Sequence, residues 1–174
     1  SGETVKALLA AVSHNESVYI RLTGGSNNPI VYEDDYDYEI GKAITLCEGK
    51  DITIIAAGTM VYASLETAKL LNEKGISSKV INMHTIKPLD IKAVTKASED
   101  TNLLVTIEEH SIIGGLGSAV SQHLASLNKS PRLEIIGLPD EYGNAGSYTD
   151  LLESRGLSAH LLANKIEKRF FSKL

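Results

Sequence analysis

The sequence predicts an α/β domain: three layers, α/β/α, around a mostly parallel five-stranded sheet. Three observations carry that expectation. Five short apolar runs, at 43–47, 51–57, 78–83, 102–108 and 133–137, alternate with segments whose apolar residues recur at three- and four-residue steps. The central runs are almost continuously apolar, as in strands covered on both faces. Gly, Pro and Asn stand at the junctions, where the chain must turn. A strand–helix alternation of this spacing implies parallel strands joined by crossover helices, and 174 residues suffice for one sizeable core.

Residues 3–14 read as a short helix, with Val5, Leu8, Leu9 and Val12 at helical spacing, and Val18 to Leu22 reads as a strand. Periodicity then fails from Thr23 to Glu39, through a Gly-Gly-Ser-Asn-Asn-Pro break and an acidic, tyrosine-rich stretch. That segment reads as a linker, and residues 1–22 as the tail of a preceding domain, too small to fold alone. From Ile40 the regular alternation begins. The strand ending at Ala57 leads through Gly58-Thr59 into a helix to Lys74, with Val61, Leu65, Ala68 and Leu71 as its inner stripe and Gly75 as its stop. Pro88-Leu89-Asp90 caps a helix to about Glu99. A glycine-rich turn after 102–108 opens a helix from about Gly115 to Leu127, and two helices close the chain near 149–155 and 158–172.

Charge and composition exclude several classes. A net charge of −5, with the basic residues scattered, argues against a nucleic-acid or anionic-membrane binder. The tail cluster of Lys165, Lys168, Arg169 and Lys173 reads as a solvated helix face. Cys47 is the single cysteine, so neither an internal disulfide nor a multi-cysteine metal cluster can form. No apolar run approaches the ~18 residues of a membrane span, and no signal peptide is visible, so the expectation is a soluble cytoplasmic protein. Ser1-Gly2, without an initiating Met, reads as a cleavage scar on an excised piece of a longer chain.

The stretch Thr106 to Val120 draws the eye first. It resembles a dinucleotide fingerprint, but Val120 stands where a third glycine or alanine belongs, and the turn comes late in the fold. In a strand, Glu108 and His110 would share a face and Glu109 the other; no third ligand completes a metal site. The ordinary role of the carboxylates is to satisfy the free N–H groups opening the next helix. Ser118 lies in no nucleophile elbow, Cys47 in no motif, and His14, His84, His123 and His160 form no pattern. Arg21, in an otherwise apolar segment before a glycine pair, suits either a phosphate or hydroxyl-rich substrate or an ion pair with Glu33, Asp34 or Asp35.

Six segments in order resemble the C-terminal domain of transketolases and their thiamine-dependent relatives: Ile40 to Ala43, Ile54 to Val61, Val80 to Asp90, Glu108 to Val120, Ile136 to Asp140 and Leu151 to Leu157. Asn82 to Asp90 resembles transketolases more than deoxyxylulose-phosphate synthases or 2-oxo acid dehydrogenase β subunits, the nearest alternatives; a nucleotide-binding regulatory module is the remaining one. The resemblance implies an enzyme that moves a two-carbon ketol unit between sugar phosphates, a homodimer or a complex with a partner N-terminal subunit. It implies thiamine diphosphate and Mg2+ held by domains outside this chain, with no catalytic, cofactor-binding or metal residue here and no activity of this piece alone. On that reading residues 1–22 end the pyrimidine-binding domain, 23–39 link, and 40–174 form the C-terminal domain. Arg21 falls on the position of a substrate-phosphate arginine.

Overall fold

The computed structural model describes residues 2–23 and 29–172. Six helices and five strands are present among them. They are α1 (Gly2–Val12), β1 (Ile44–Cys47), β2 (Ile52–Ala56), α2 (Met60–Glu73), β3 (Ser78–Asn82), α3 (Ile91–Asp100), β4 (Leu103–Ser111), α4 (Leu116–Leu124), β5 (Arg132–Leu138), α5 (Tyr148–Ser154) and α6 (Ala159–Phe171). The sheet runs β1-β3-β2-β4-β5. Four strands are parallel, and β1 pairs antiparallel with β3 at one edge. The expected three-layer α/β/α fold is therefore the one observed.

Every residue of β2 and β3 is buried, which is why their sequences lack alternation. One core packs Ile52, Ile54, Val80 and Val105 with Val61, Ala68 and Leu71 of α2 and Leu162, Ala163 and Ile166 of α6. The other packs Ile55, Ile81 and Leu104 with Val94 and Ala97 of α3 and Leu116 and Val120 of α4. Each fully buried Ile or Leu contributes about 1.5–3 kcal/mol relative to exposure. The buried hydroxyl of Thr53, on the central strand, accepts a bond from Thr101 at 3.2 Å.

Local signals hold at the helix ends. Asp90 caps α3, accepting from Ala93 N at 3.0 Å, and its second oxygen takes Ala43 N at 2.9 Å. The Gly75 and Ile76 N–H groups return to the Asn72 and Leu71 carbonyls and close α2.

Three expectations need correction. Residues 18–22 are not a strand: the described sheet has no place for them, and an apolar run without a ladder partner stays irregular. β4 runs on to Ser111, three residues past the expected end at Glu108, so Glu109 and His110 also belong to the strand. α4 ends at Leu124, three residues short of the expected Leu127. Of the expected linker, residues 24–28 lie outside the described residues; of the basic tail cluster, Lys173 does too.

Candidate functional site

An open parallel sheet offers a crevice at its carboxyl edge, where the chain order reverses. Here β2 leads through α2 to β3 on one side, and β4 leads through α4 to β5 on the other, so the reversal lies between β2 and β4. The three residues near the end of β4 each reach a different part of the chain.

Glu108 is 5% exposed, and its carboxylate accepts from Leu116 N at 2.7 Å and Gly117 N at 2.9 Å. These are free amides opening α4, so the side chain satisfies two orphan donors and places negative charge at the positive end of the helix. Gly114 makes the preceding turn at φ +80. Gly115 admits the carboxylate, because a Cβ there would overlap the Glu108 carboxyl group. Ser118 stitches the same turn, accepting from Gly114 N at 2.8 Å and donating to Ile112 O at 3.2 Å. The amide cradle that an external phosphate would use is thus filled from within.

Glu109 turns the other way and ties the end of β4 to the residue before α2 and to α5. It accepts from the Thr59 hydroxyl, just past β2, and from the Tyr148 phenol at 2.6 Å. Burial first, and then the bond to Glu109, raises the Tyr148 phenol above its ordinary value. Sequence reasoning gave Glu109 the same task as Glu108, at the start of α4; the structure assigns it to Thr59 and Tyr148 instead. The hydroxyl directly after Gly58 was a usable signal for this cluster, but nothing near Tyr148 pointed to Glu109.

His110, the next residue, meets Arg21. The Arg21 Nη1 lies 3.5 Å from His110 Nδ1 at the exposed carboxyl edge. Among the described residues, no ion pair joins Arg21 to Glu33, Asp34 or Asp35; Asp35 pairs with Lys6 at 2.6 Å.

Beside this edge, a polar cluster joins the first helix to the sheet. Asn82 Nδ2 donates to Glu3 Oε2 and to the Tyr32 hydroxyl, both at 2.6 Å. Desolvation raises the Glu3 carboxyl above its ordinary range, against the lowering effect of the Asn82 and Tyr32 bonds. Tyr32 stacks on Tyr36, Lys6 sits 4.8 Å over the Tyr36 ring, and Tyr38 stacks on His84. Burial lowers the His84 imidazole and, foremost, raises the Tyr36 phenol to about 12. The acidic, tyrosine-rich segment therefore docks along the domain, an arrangement its aperiodic sequence did not disclose.

The remaining candidates have ordinary partners. His123 bonds Thr95 Oγ1 at 2.8 Å, and His160 lies 3.2 Å from Glu153. Lys165 and Arg169 both pair with Glu134 at 3.3 Å, and the Cys47 thiol donates to the Ser78 carbonyl. Among the described residues no group of three or more His, Cys, Asp and Glu side chains could hold a metal ion, and no helix is long and apolar enough to cross a membrane.

Residues 41–161 match the family model described as "Transketolase, C-terminal domain". The chain belongs to that family. It is 43% identical, over 156 residues, to a subunit of the apulose-4-phosphate transketolase of Phocaeicola vulgatus, covering 89% of this chain and 49% of that protein. It is 36% identical to a putative transketolase C-terminal section of Methanocaldococcus jannaschii, covering 94% of this chain and 51% of that one. A 1-deoxy-D-xylulose-5-phosphate synthase of Chlorobium phaeovibrioides is 44% identical over 128 residues, covering 74% of this chain and 20% of its own. Among solved structures, a split-gene transketolase described as an inactive β4 tetramer superposes with TM-score 0.74 at 38% identity, over 82% of this chain and 45% of that one. The chain thus spans about half the length of the transketolase relatives it matches. In this transketolase C-terminal domain the glycine-rich turn is a packing device, and the polar groups left facing outward at the carboxyl edge include Arg21 and His110.

Proposed function

We propose that this chain is the C-terminal part of a transketolase-type enzyme that transfers a two-carbon ketol unit between sugar phosphates, and that Arg21 binds the substrate's phosphate. The observation that carries the role of Arg21 is its place: an exposed guanidinium at the carboxyl edge of the sheet, facing an imidazole and drawn into no ion pair with the acidic segment. A planar guanidinium grips a phosphate with parallel, charge-assisted bonds.

Thiamine diphosphate and Mg2+ supply the carbanion chemistry of such an enzyme. Among the described residues no group of three or more His, Cys, Asp and Glu side chains is assembled, and the Glu108 carboxylate takes the free amides of α4 that a diphosphate would otherwise meet. On this proposal the cofactor belongs to the parts of the enzyme outside this chain, and residues 1–22 end the pyrimidine-binding domain. Residues 23–39 are the linker and 40–174 the C-terminal domain. The intact enzyme is a cytoplasmic homodimer or a complex with an N-terminal subunit; the Phocaeicola vulgatus relative, itself one subunit of a transketolase, supports the second form. A second reading, a 1-deoxy-D-xylulose-5-phosphate synthase, is supported by the 44% identical relative and is distinguished by assaying formation of that product.

The test is Arg21→Ala in the intact enzyme. Loss of a charge-assisted phosphate contact should raise KM for phosphorylated substrates by about ten- to a hundredfold. An unchanged KM would remove Arg21 from the site.

A further inference from the structure

Arg21 sits in a segment with no strand ladder to hold its backbone, and its side chain is long and exposed. A free arginine side chain samples many rotamers, and a phosphate ligand would have to overcome part of that entropy on binding. His110 is placed differently. Its two preceding residues are tied on separate sides, Glu108 to α4 and Glu109 to Thr59 and Tyr148, so the end of β4 is fixed in position. The imidazole therefore stands on a rigid element and the guanidinium on an irregular one.

The contact also has a definite polarity. A guanidinium donates and has no acceptor, so a bond across this 3.5 Å separation requires the Nδ1 of His110 to offer its lone pair. The tautomer that accepts at Nδ1 is the one with its proton on Nε2. Such a partner orients the guanidinium without neutralising it, which a carboxylate in the same place would do.

We infer that His110 is a positioning residue for Arg21: it holds the guanidinium at the carboxyl edge, ready for the phosphate of a sugar-phosphate substrate, without itself binding that phosphate. The inference rests on the reading of Arg21 as the phosphate ligand.

The experiment compares His110→Phe, His110→Asn, Arg21→Ala and the double variant Arg21→Ala/His110→Phe in the intact enzyme. Steady-state constants are measured with a phosphorylated ketose donor and with an unphosphorylated ketol donor. The 3.5 Å contact is long, so His110→Phe should raise KM for the phosphorylated donor by about three- to tenfold, with the change falling on KM rather than kcat. His110→Asn, whose Oδ1 can take the place of Nδ1, should recover most of that loss. The double variant should be no worse than Arg21→Ala, and the unphosphorylated donor should not distinguish His110→Phe from the parent.

If Arg21→Ala raises KM and His110→Phe does not, the positioning role is wrong while the phosphate reading stands. Additive effects would make His110 an independent ligand and overturn the inference. Equal losses with both donors would reduce His110 to a structural residue. An Arg21→Ala enzyme with unchanged KM would sink the phosphate reading and, with it, this role.

Discussion

Glu108 shows how one side chain decides what a glycine-rich turn can do. Such a turn before a helix is usually a place for an external anion, because its amides are free and the helix dipole favours negative charge. Here the anion is the protein's own, at 2.7 and 2.9 Å from two amides, and Gly115 exists to let it approach. Sequence reasoning reached this role for Glu108 from the residue type and its distance to the helix. It could not separate Glu108 from Glu109, because two adjacent carboxylates differ only in which face of the strand they leave. Glu108→Gln tests this role directly. A glutamine amide can offer only one oxygen, leaving a buried N–H facing another donor, at a cost of about 1–3 kcal/mol. Urea unfolding should show a lower midpoint with an unchanged slope. An unchanged midpoint would mean that water serves those amides equally well.

At the scale of elements, the strands and helices of residues 40–172 were legible because burial on both sheet faces leaves a strong apolar signal. β2, α2, β3 and α6 lie within a residue or two of expectation. Two kinds of feature escaped. Residues 18–22 have the composition of a strand but no ladder, and pairing is a property of the sheet rather than of the segment. The placement of α5 depends on partners far away in sequence: α5 has no buried residue, and the Tyr148–Glu109 bond spans 39 positions. That bond should be what holds the start of α5. Tyr148→Phe is therefore expected to speed amide hydrogen exchange within α5 by about three- to tenfold while leaving the exchange of β2 and β4 unchanged. Uniform exchange changes across the sheet would place the bond's effect on global stability instead.

Across the whole molecule, the two hydrophobic cores account for the sheet and its covering helices, whereas α1 contributes to neither. Ala7 is its one buried residue, and Val5, Leu8, Leu9 and Val12 remain exposed. What ties α1 down is polar: Glu3 on Asn82 and Lys6 on Asp35 and the Tyr36 carbonyl. This gives the attachment a pH dependence of definite sign. The Glu3 carboxyl is raised in the fold by burial, so its contribution is fully present below the unfolded value of about 4.3 and is lost as pH rises through the folded value. Protection factors of the α1 amides should fall across that window, and Glu3→Gln should flatten the fall. A rise in protection with pH would contradict the burial assignment.

The proposed domain division follows the same contrast, a self-sufficient sheet with a helix joined to it by a few polar contacts. Family membership was legible from six short segments because each is dictated by a strand end, a cap or a turn of this one fold. Arg21, the residue proposed to meet substrate, precedes all six segments and the match to the family model. Everything proposed for function depends on the chain being one part of a ketol-transferring enzyme whose cofactor is held elsewhere. That dependence is tested by a ketol-transfer assay with thiamine diphosphate and Mg2+, run on this chain alone and again with the cofactor-binding part of the same enzyme. The expected outcome is no transfer from the chain alone and transfer from the combination; turnover by the chain alone, or an inert combination, would contradict it.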